Sequence, residues 1–153
     1  MHVIISAIGK LKKNSPEYEL MASYLKRSKW SVEIKEYEEK RALSGTKLKD
    51  AEADLLLSSI PEKARVVVLD EHGSTLTSRE FAGKLRGWQM NGVGTVVFLI
   101  GGADGHGEKA KKRADLILSF GRMTLPHFLM RVVLSEQIYR AQTILNGHPY
   151  HRD

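Results

Sequence analysis

Thr95-Val96-Val97-Phe98-Leu99-Ile100-Gly101-Gly102 is an uncharged apolar run cut off by two glycines. A short run of this kind, rich in β-branched residues and bounded by a turn signal, reads as a strand covered on both faces. Upstream, Thr77-Ser78-Arg79-Glu80 matches a helix capping box. Phe81, Leu85 and Trp88 follow at helical spacing, and Asn91-Gly92 stops the helix. Further upstream, Arg65-Val66-Val67-Val68-Leu69-Asp70 is a second apolar strand, with Glu71-His72-Gly73 expected as a loop at its end. Downstream of the glycines, a short basic helix from Glu108 to Arg113 leads to the strand Leu116-Ile117-Leu118. Strands alternating with helices imply βαβ units, so we expect an α/β fold with a mostly parallel sheet and helices on both faces.

The remaining chain extends this pattern. Val3 to Ile8 is another nearly continuous apolar run, turned by Gly9-Lys10. Ser15-Pro16-Glu17 starts a helix, with a capping Ser, Pro in the first turn and an acid beside it. Tyr18, Met21 and Leu25 line one face of that helix. From Val32 to Tyr37, apolar Val32 and Ile34 alternate with charged neighbours, which suits a strand near a sheet edge. Arg41 to Gly45 reads as a loop. A helix from Thr46 to Ile60 follows, with Leu48, Ala51 and Leu55 inward, stopped before Pro61. Near the C-terminus Pro126 favours a helix start. Met130, Leu134, Ile138, Ala141 and Leu145 form the inward stripe, while Arg131, Ser135, Glu136 and Arg140 fall on other faces. Phe128, Leu129, Val132 and Val133 are apolar beyond that stripe, so a partner subunit is expected to cover them. Asn146-Gly147 ends the helix. The tail His148-Pro149-Tyr150-His151-Arg152 then crowds together groups that donate, accept and titrate.

The 153 residues read as one domain, 1–153, with the composition of an ordinary globular protein and a net charge of +6. There is no cysteine, which excludes disulfides and thiolate metal sites and fits a cytoplasmic location. No apolar run approaches the ~18 residues of a membrane span, so no membrane partner is expected. The N-terminal residues lack the basic start of a signal peptide and read as a strand. The basic balance suits a polyanionic partner, and it equally suits a bland lysine-rich surface.

In parallel sheets, ligands bind outside the carboxyl ends of the strands. The loops after Leu69, Ile100 and Leu118 leave such ends. Gly101-Gly102 either merely turns its loop or lets the backbone approach a ligand closely. Gly105-x-Gly107-x-x-Ala110 is a poor dinucleotide fingerprint, since it follows a late strand and lacks the acidic residue about twenty positions on. The phosphate-binding loop and the serine-hydrolase elbow are both absent. His148-x-x-His151 lacks a third ligand, so no metal is assigned. His2, His72 and His106 read as surface or loop residues. Lys109, Lys111, Lys112 and Arg113 form one basic cluster, and Lys10, Lys12 and Lys13 another. Each is a solvated face or a set of phosphate contacts.

Ile100-Gly101-Gly102, Met-Thr-x-Pro-His at Met123 to His127, Glu-Gln-x-Tyr-Arg-Ala at Glu136 to Ala141, and His-Pro-Tyr-His-Arg at His148 to Arg152 carry a resemblance. Together they resemble the methyltransferase H family, the large-subunit ribosomal RNA pseudouridine N3-methyltransferases of the SPOUT, or α/β-knot, class. The likeness spans the chain in length and element order. It implies a C-terminal trefoil knot and an S-adenosyl-L-methionine-dependent methyl transfer to N3 of a pseudouridine in large-subunit (23S) ribosomal RNA, in the assembled ribosome, by a homodimer. It implies that Leu69, Gly101, Phe120, Gly121, Arg122, Met123, Thr124 and Leu125 surround the cofactor. Gly121 stands where the family often has Ser. The candidates for catalysis are His127, Tyr150, His151 and Arg152. Arg152 would hold a phosphate or the developing ring anion. His151 or Tyr150 would position the base or relay its proton, and His127 is either catalytic or a helix-end residue. The rivals are a non-catalytic RNA- or ribosome-binding α/β module and a knot methyltransferase acting on transfer RNA.

Overall fold

A computed structural model describes residues 1–58 and 60–152. The elements, in chain order, are β1 (His2–Ile8), α1 (Pro16–Arg27), β2 (Ser31–Tyr37), α2 (Gly45–Leu57), β3 (Arg65–Thr75), α3 (Ser78–Met90), β4 (Thr95–Ile100), α4 (Glu108–Arg113), β5 (Leu116–Ser119) and α5 (His127–Leu145). The strands form one sheet in the order β2-β1-β4-β3-β5, and every pairing is parallel.

Strand order dictates which face each helix covers. The steps from β1 to β2 and from β3 to β4 run one way across the sheet, whereas β2 to β3 and β4 to β5 run the other way. Right-handed crossovers in opposite directions must lie on opposite faces. Accordingly α5 packs on α1 and α3, while α2 packs on α4. Side chains alternate along the central strands to match. Val3, Ile5, Val96, Phe98, Val67 and Leu69 meet Phe81, Leu85, Leu134 and Ile138 on one face. Ile4, Val97, Leu99, Val66 and Val68 meet Ala53, Leu56 and Ala110 on the other. This two-sided cover is why β1, β4 and the Val66 to Leu69 part of β3 are apolar with little alternation.

The local signals hold. The Ser15 hydroxyl accepts from Tyr18 N–H at 3.2 Å, with Pro16 in the first turn of α1. Thr77 and Glu80 form the reciprocal capping box of α3. Edge strand β2 keeps Val32 and Ile34 only partly buried. Along α5, Leu134, Ile138 and Ala141 are buried, and Met130 and Leu145 pack beside them.

Five expectations are corrected. The buried face of α2 is turned from the expected one: Ala51 is buried with Glu52, Ala53 and Leu56, while Leu48 and Leu55 are only partly covered. The helix ends at Leu57, and of the expected end at Ile60, Ser59 lies outside the described residues. Glu71-His72-Gly73 is not a loop, because β3 continues to Thr75 and re-pairs with β5 after an irregularity between Leu69 and Ser74. Gly73 makes this possible: a Cβ there would stand 2.7 Å from the Ile117 backbone, so only glycine lets the two strands approach so closely. On α5, Arg131 and Ser135 are fully buried rather than outward. Arg131 donates to Glu36 and to the carbonyl oxygens of Ile8 (2.9 Å) and Gly9 (2.6 Å), tying α5 to the ends of β1 and β2. Lastly, half of the apolar surplus on α5 is used within the chain. Val132 and Phe128 pack on Met21, Tyr18 and Leu25 of α1, which leaves Leu129 exposed and Val133 partly covered.

Candidate functional site

The connections that leave β3 and β4 run in opposite directions and over opposite faces of the sheet, and a crevice opens at the carboxyl ends of these strands. A cavity of about 330 Å³ lies there, within the usual range for small-ligand sites. Leu69, Ile100, Leu118, Phe120 and Leu125 give it apolar walls. Gly101 to His106 form one side, and the 119–125 segment with the first turn of α5 forms the other.

Most of the residues expected around a cofactor line this cavity: Leu69, Gly101, Phe120, Gly121, Met123, Thr124 and Leu125. Arg122 does not line it and is exposed. Gly121 has a φ of 134°, a backbone state that disfavours any Cβ. Its N–H donates to the Ser119 hydroxyl at 3.1 Å, and that hydroxyl donates to the Gly121 carbonyl at 2.8 Å, so the segment leaves β5 in a tight, internally bonded turn. Thr124 Oγ1 donates to Glu71 Oε2 at 2.9 Å, fastening the segment to the extended end of β3.

Of the four catalytic candidates, only His127 lines this chain's own cavity. It begins α5, and its ring stacks near Phe128 with centroids 4.1 Å apart. Burial, reinforced by the Arg131 guanidinium, lowers its pKa, so it is a neutral imidazole near neutral pH. Tyr150, His151 and Arg152 lie elsewhere. The tail folds back along α5, where Tyr150 Oη donates to Glu136 Oε1 at 3.0 Å and its ring meets Tyr139 edge-on. The Arg140 guanidinium sits 4.7 Å from the Tyr150 ring and 3.2 Å from His151 Nδ1. Arg152 is exposed. Glu136 stands about 13 Å along the helix axis from His127. Burial and the Glu136 carboxylate raise the Tyr150 pKa, so here it is a neutral donor rather than a base.

The cavity also holds groups that the sequence reading did not single out. Asp70 at its mouth accepts from His72 N–H at 2.9 Å and pairs with Lys111 at 3.0 Å. Burial pushes the Asp70 carboxyl up, but these partners outweigh it and hold the pKa below the usual range. The position of Asp70 at a strand's carboxyl end was a usable signal. His106 is buried rather than at the surface, with Nε2 accepting from Gly101 N–H at 3.1 Å. Behind the loop, the Glu52 carboxylate of α2 accepts from Gly102 N–H; burial first, then Asp104, raises its pKa. In the basic cluster of α4, Lys109 pairs with Asp54 and Arg113 with Asp115, so their charge is largely spent inside the chain.

Among the described residues no group of three His, Cys, Asp or Glu side chains is placed to hold a metal ion, and no helix is long and apolar enough to cross a membrane. A family model described as "Predicted SPOUT methyltransferase" matches residues 1–151. The Ribosomal RNA large subunit methyltransferase H of Paramagnetospirillum magneticum is 53% identical over 152 residues, covering 99% of each chain. Proteins of the same name from Paracoccus denitrificans and Rhodospirillum centenum are 47% and 46% identical, covering at least 99% of each chain. A match of this extent, on a chain whose cavity sits at the strand ends beside a C-terminal loop and helix, is not confined to one motif: the chain belongs to the SPOUT methyltransferase family.

Proposed function

We propose that this methyltransferase acts on large-subunit ribosomal RNA, transferring a methyl group from S-adenosylmethionine to N3 of a pseudouridine. The observation that carries the reading is end-to-end similarity to proteins named Ribosomal RNA large subunit methyltransferase H. The cavity suits the family's cofactor by its chemistry. Its apolar walls at Leu69, Ile100, Leu118 and Leu125 match a nucleoside ring, and the Asp70, Glu71 and Asp104 carboxylates match polar and cationic parts. A Cβ at Gly101 would stand 3.1 Å from the Gly105 backbone, so the glycine there serves the tight turn that forms this wall.

The bound cofactor supplies an electrophilic methyl group. The chain must orient the acceptor ring, exclude water and remove the N3 proton. His127, neutral and at the cavity wall, is placed to accept that proton. Arg152, exposed near the tail's end, offers a charge for a phosphate or for the ring anion. Tyr150 offers a stacking ring and a hydrogen-bond donor.

The tail lies away from its own chain's cavity, so the reading requires a homodimer in which each tail serves the other subunit's cavity. Exposed Leu129 and Met123, beside partly covered Val133, supply apolar surface for that contact. Such an enzyme works where ribosomes are, in the cytoplasm. The test is deletion of Tyr150 to Asp153, followed by mixing with a Gly101→Val variant. Tritium transfer to undermethylated ribosomes should vanish in each variant and return in part in the mixture. Full methylation by the truncated protein alone would remove Tyr150, His151 and Arg152 from the site.

A further inference from the structure

The glycine wall of the cavity is held by a side chain that none of the motifs includes. Gly101 N–H donates to His106 Nε2 at 3.1 Å. Gly105 N–H donates to the Gly102 carbonyl at 3.0 Å, closing the same turn. Because Nε2 accepts, the ring's single proton sits on Nδ1, which is buried and makes no hydrogen bond. The ring's one well-formed hydrogen bond is at Nε2. That nitrogen holds the first amide beyond β4, where the backbone passes into the cavity wall.

We propose that His106 is the positioning residue of the cofactor cavity: by accepting from Gly101 N–H it holds the Gly101–Gly105 turn in the shape that receives S-adenosylmethionine. This rests on the cofactor occupying that cavity. A buried histidine serving packing alone would be replaceable by leucine. A positioning role needs the acceptor nitrogen, and protonation at Nε2 turns that acceptor into a donor facing another donor. The surroundings favour the acceptor form. Burial lowers the ring's pKa; from β3 the Asp70 carboxylate and the Leu69 carbonyl, and from β4 the Leu99 carbonyl, oppose that, while from α4 the Lys111 ammonium adds to it. From α2 the Glu52 carboxylate faces the neighbouring Gly102.

The experiment has two readouts. Long-range proton–nitrogen NMR of the cofactor-free protein should show Nδ1 protonated and Nε2 bare, with the Gly101 amide proton shifted by the imidazole. Calorimetric titration with S-adenosylmethionine should show binding weakened about tenfold or more in His106→Leu, and less in His106→Gln, whose side-chain oxygen can accept. In wild type, affinity and the Gly101 amide signal should change together on acidification below about pH 6.5. Should the leucine variant fail to fold, the glutamine variant and this wild-type titration decide. Unchanged affinity in folded His106→Leu, or a bare Nδ1 in wild type, overturns the proposal. A wild-type protein that binds no S-adenosylmethionine while the His106 signature stands overturns the cofactor reading itself.

Discussion

Replacing Arg131 by Met should be the most damaging single change away from the sheet. The guanidinium is fully buried and donates to Glu36 and to the Ile8 and Gly9 carbonyls. Met keeps the aliphatic stem, so the loss is mainly that of the donors, together with the guanidinium over the Phe128 ring. Leaving a buried acceptor without its donor costs about 1–3 kcal/mol. Two carbonyls are affected, one of them only partly buried. Glu36 is left with the Leu11 N–H at 2.8 Å as a remaining partner and is itself partly exposed. These terms sum to about 3–5 kcal/mol, the range found when one member of a buried ion pair is removed. For a chain of this size that lowers the midpoint by about 10 °C. The assay is urea unfolding followed by Trp30 and Trp88 fluorescence, at one fixed protein concentration because association shifts apparent stability. Arg131→Lys should recover part of the loss, since one ammonium cannot span three acceptors at fork geometry. Adding Glu36→Leu to Arg131→Met should cost less than the two single losses summed. A loss below about 1 kcal/mol in Arg131→Met would refute the reasoning, because the carbonyls would then have found other donors.

Gly73→Ala should destabilise far more than Gly101→Ala, by thermal unfolding: its Cβ meets Ile117 backbone at 2.7 Å, against 3.1 Å to the Gly105 backbone at Gly101. Glu52→Gln should raise the unfolding midpoint at pH 7.5. The Glu52 pKa is raised in the fold, so the cost of burying its charge applies above that pKa and fades as pH falls through it. The advantage of Gln should therefore shrink on acidification, which a pH series of melts would show. His106 and His127 have the opposite sign: both are lowered by burial, so the unfolded chain takes up protons that the folded one refuses. Stability should fall as pH drops below about 6.5, less steeply in a folded His106→Gln variant. Ser15→Ala, which removes the cap on Tyr18 N–H, should cost about 1 kcal/mol in the same urea assay.

Periodicity and punctuation alone determined the order and type of the elements. Val3 to Ile8, Val66 to Leu69 and Thr95 to Ile100 are uncharged because both sheet faces are covered, and that reads directly as buried parallel strands. Ser15-Pro16 and Thr77 to Glu80 mark helix starts through bonds made within one turn, so no distant residue is needed to see them. The loops after Ile100 and Leu118 that line the cavity followed from the same reasoning, whereas the residues after Leu69 proved to continue β3. The identity of the cofactor and the expectation of a C-terminal knot came only with the family, since neither leaves a local signature in spacing. Tertiary structure decided what depends on residues remote in sequence. Arg131 looks like a surface cation until Glu36 and the end of β1 close over it. His106 looks like a loop histidine until Gly101 folds back onto it. The α2 stripe was misplaced because small Ala53 and charged Glu52 face α4 and the glycine loop, contacts that hydrophobicity alone does not weigh. Gly73 carries no pattern at all; its meaning lies in the backbone of β5, which passes within reach of the Cβ it lacks. The tail is the extreme case. Its polar crowding is visible in the sequence, yet its place along α5, away from its own cavity, is set by Glu136, Tyr139 and Arg140 on a helix that only the folded chain brings beside it.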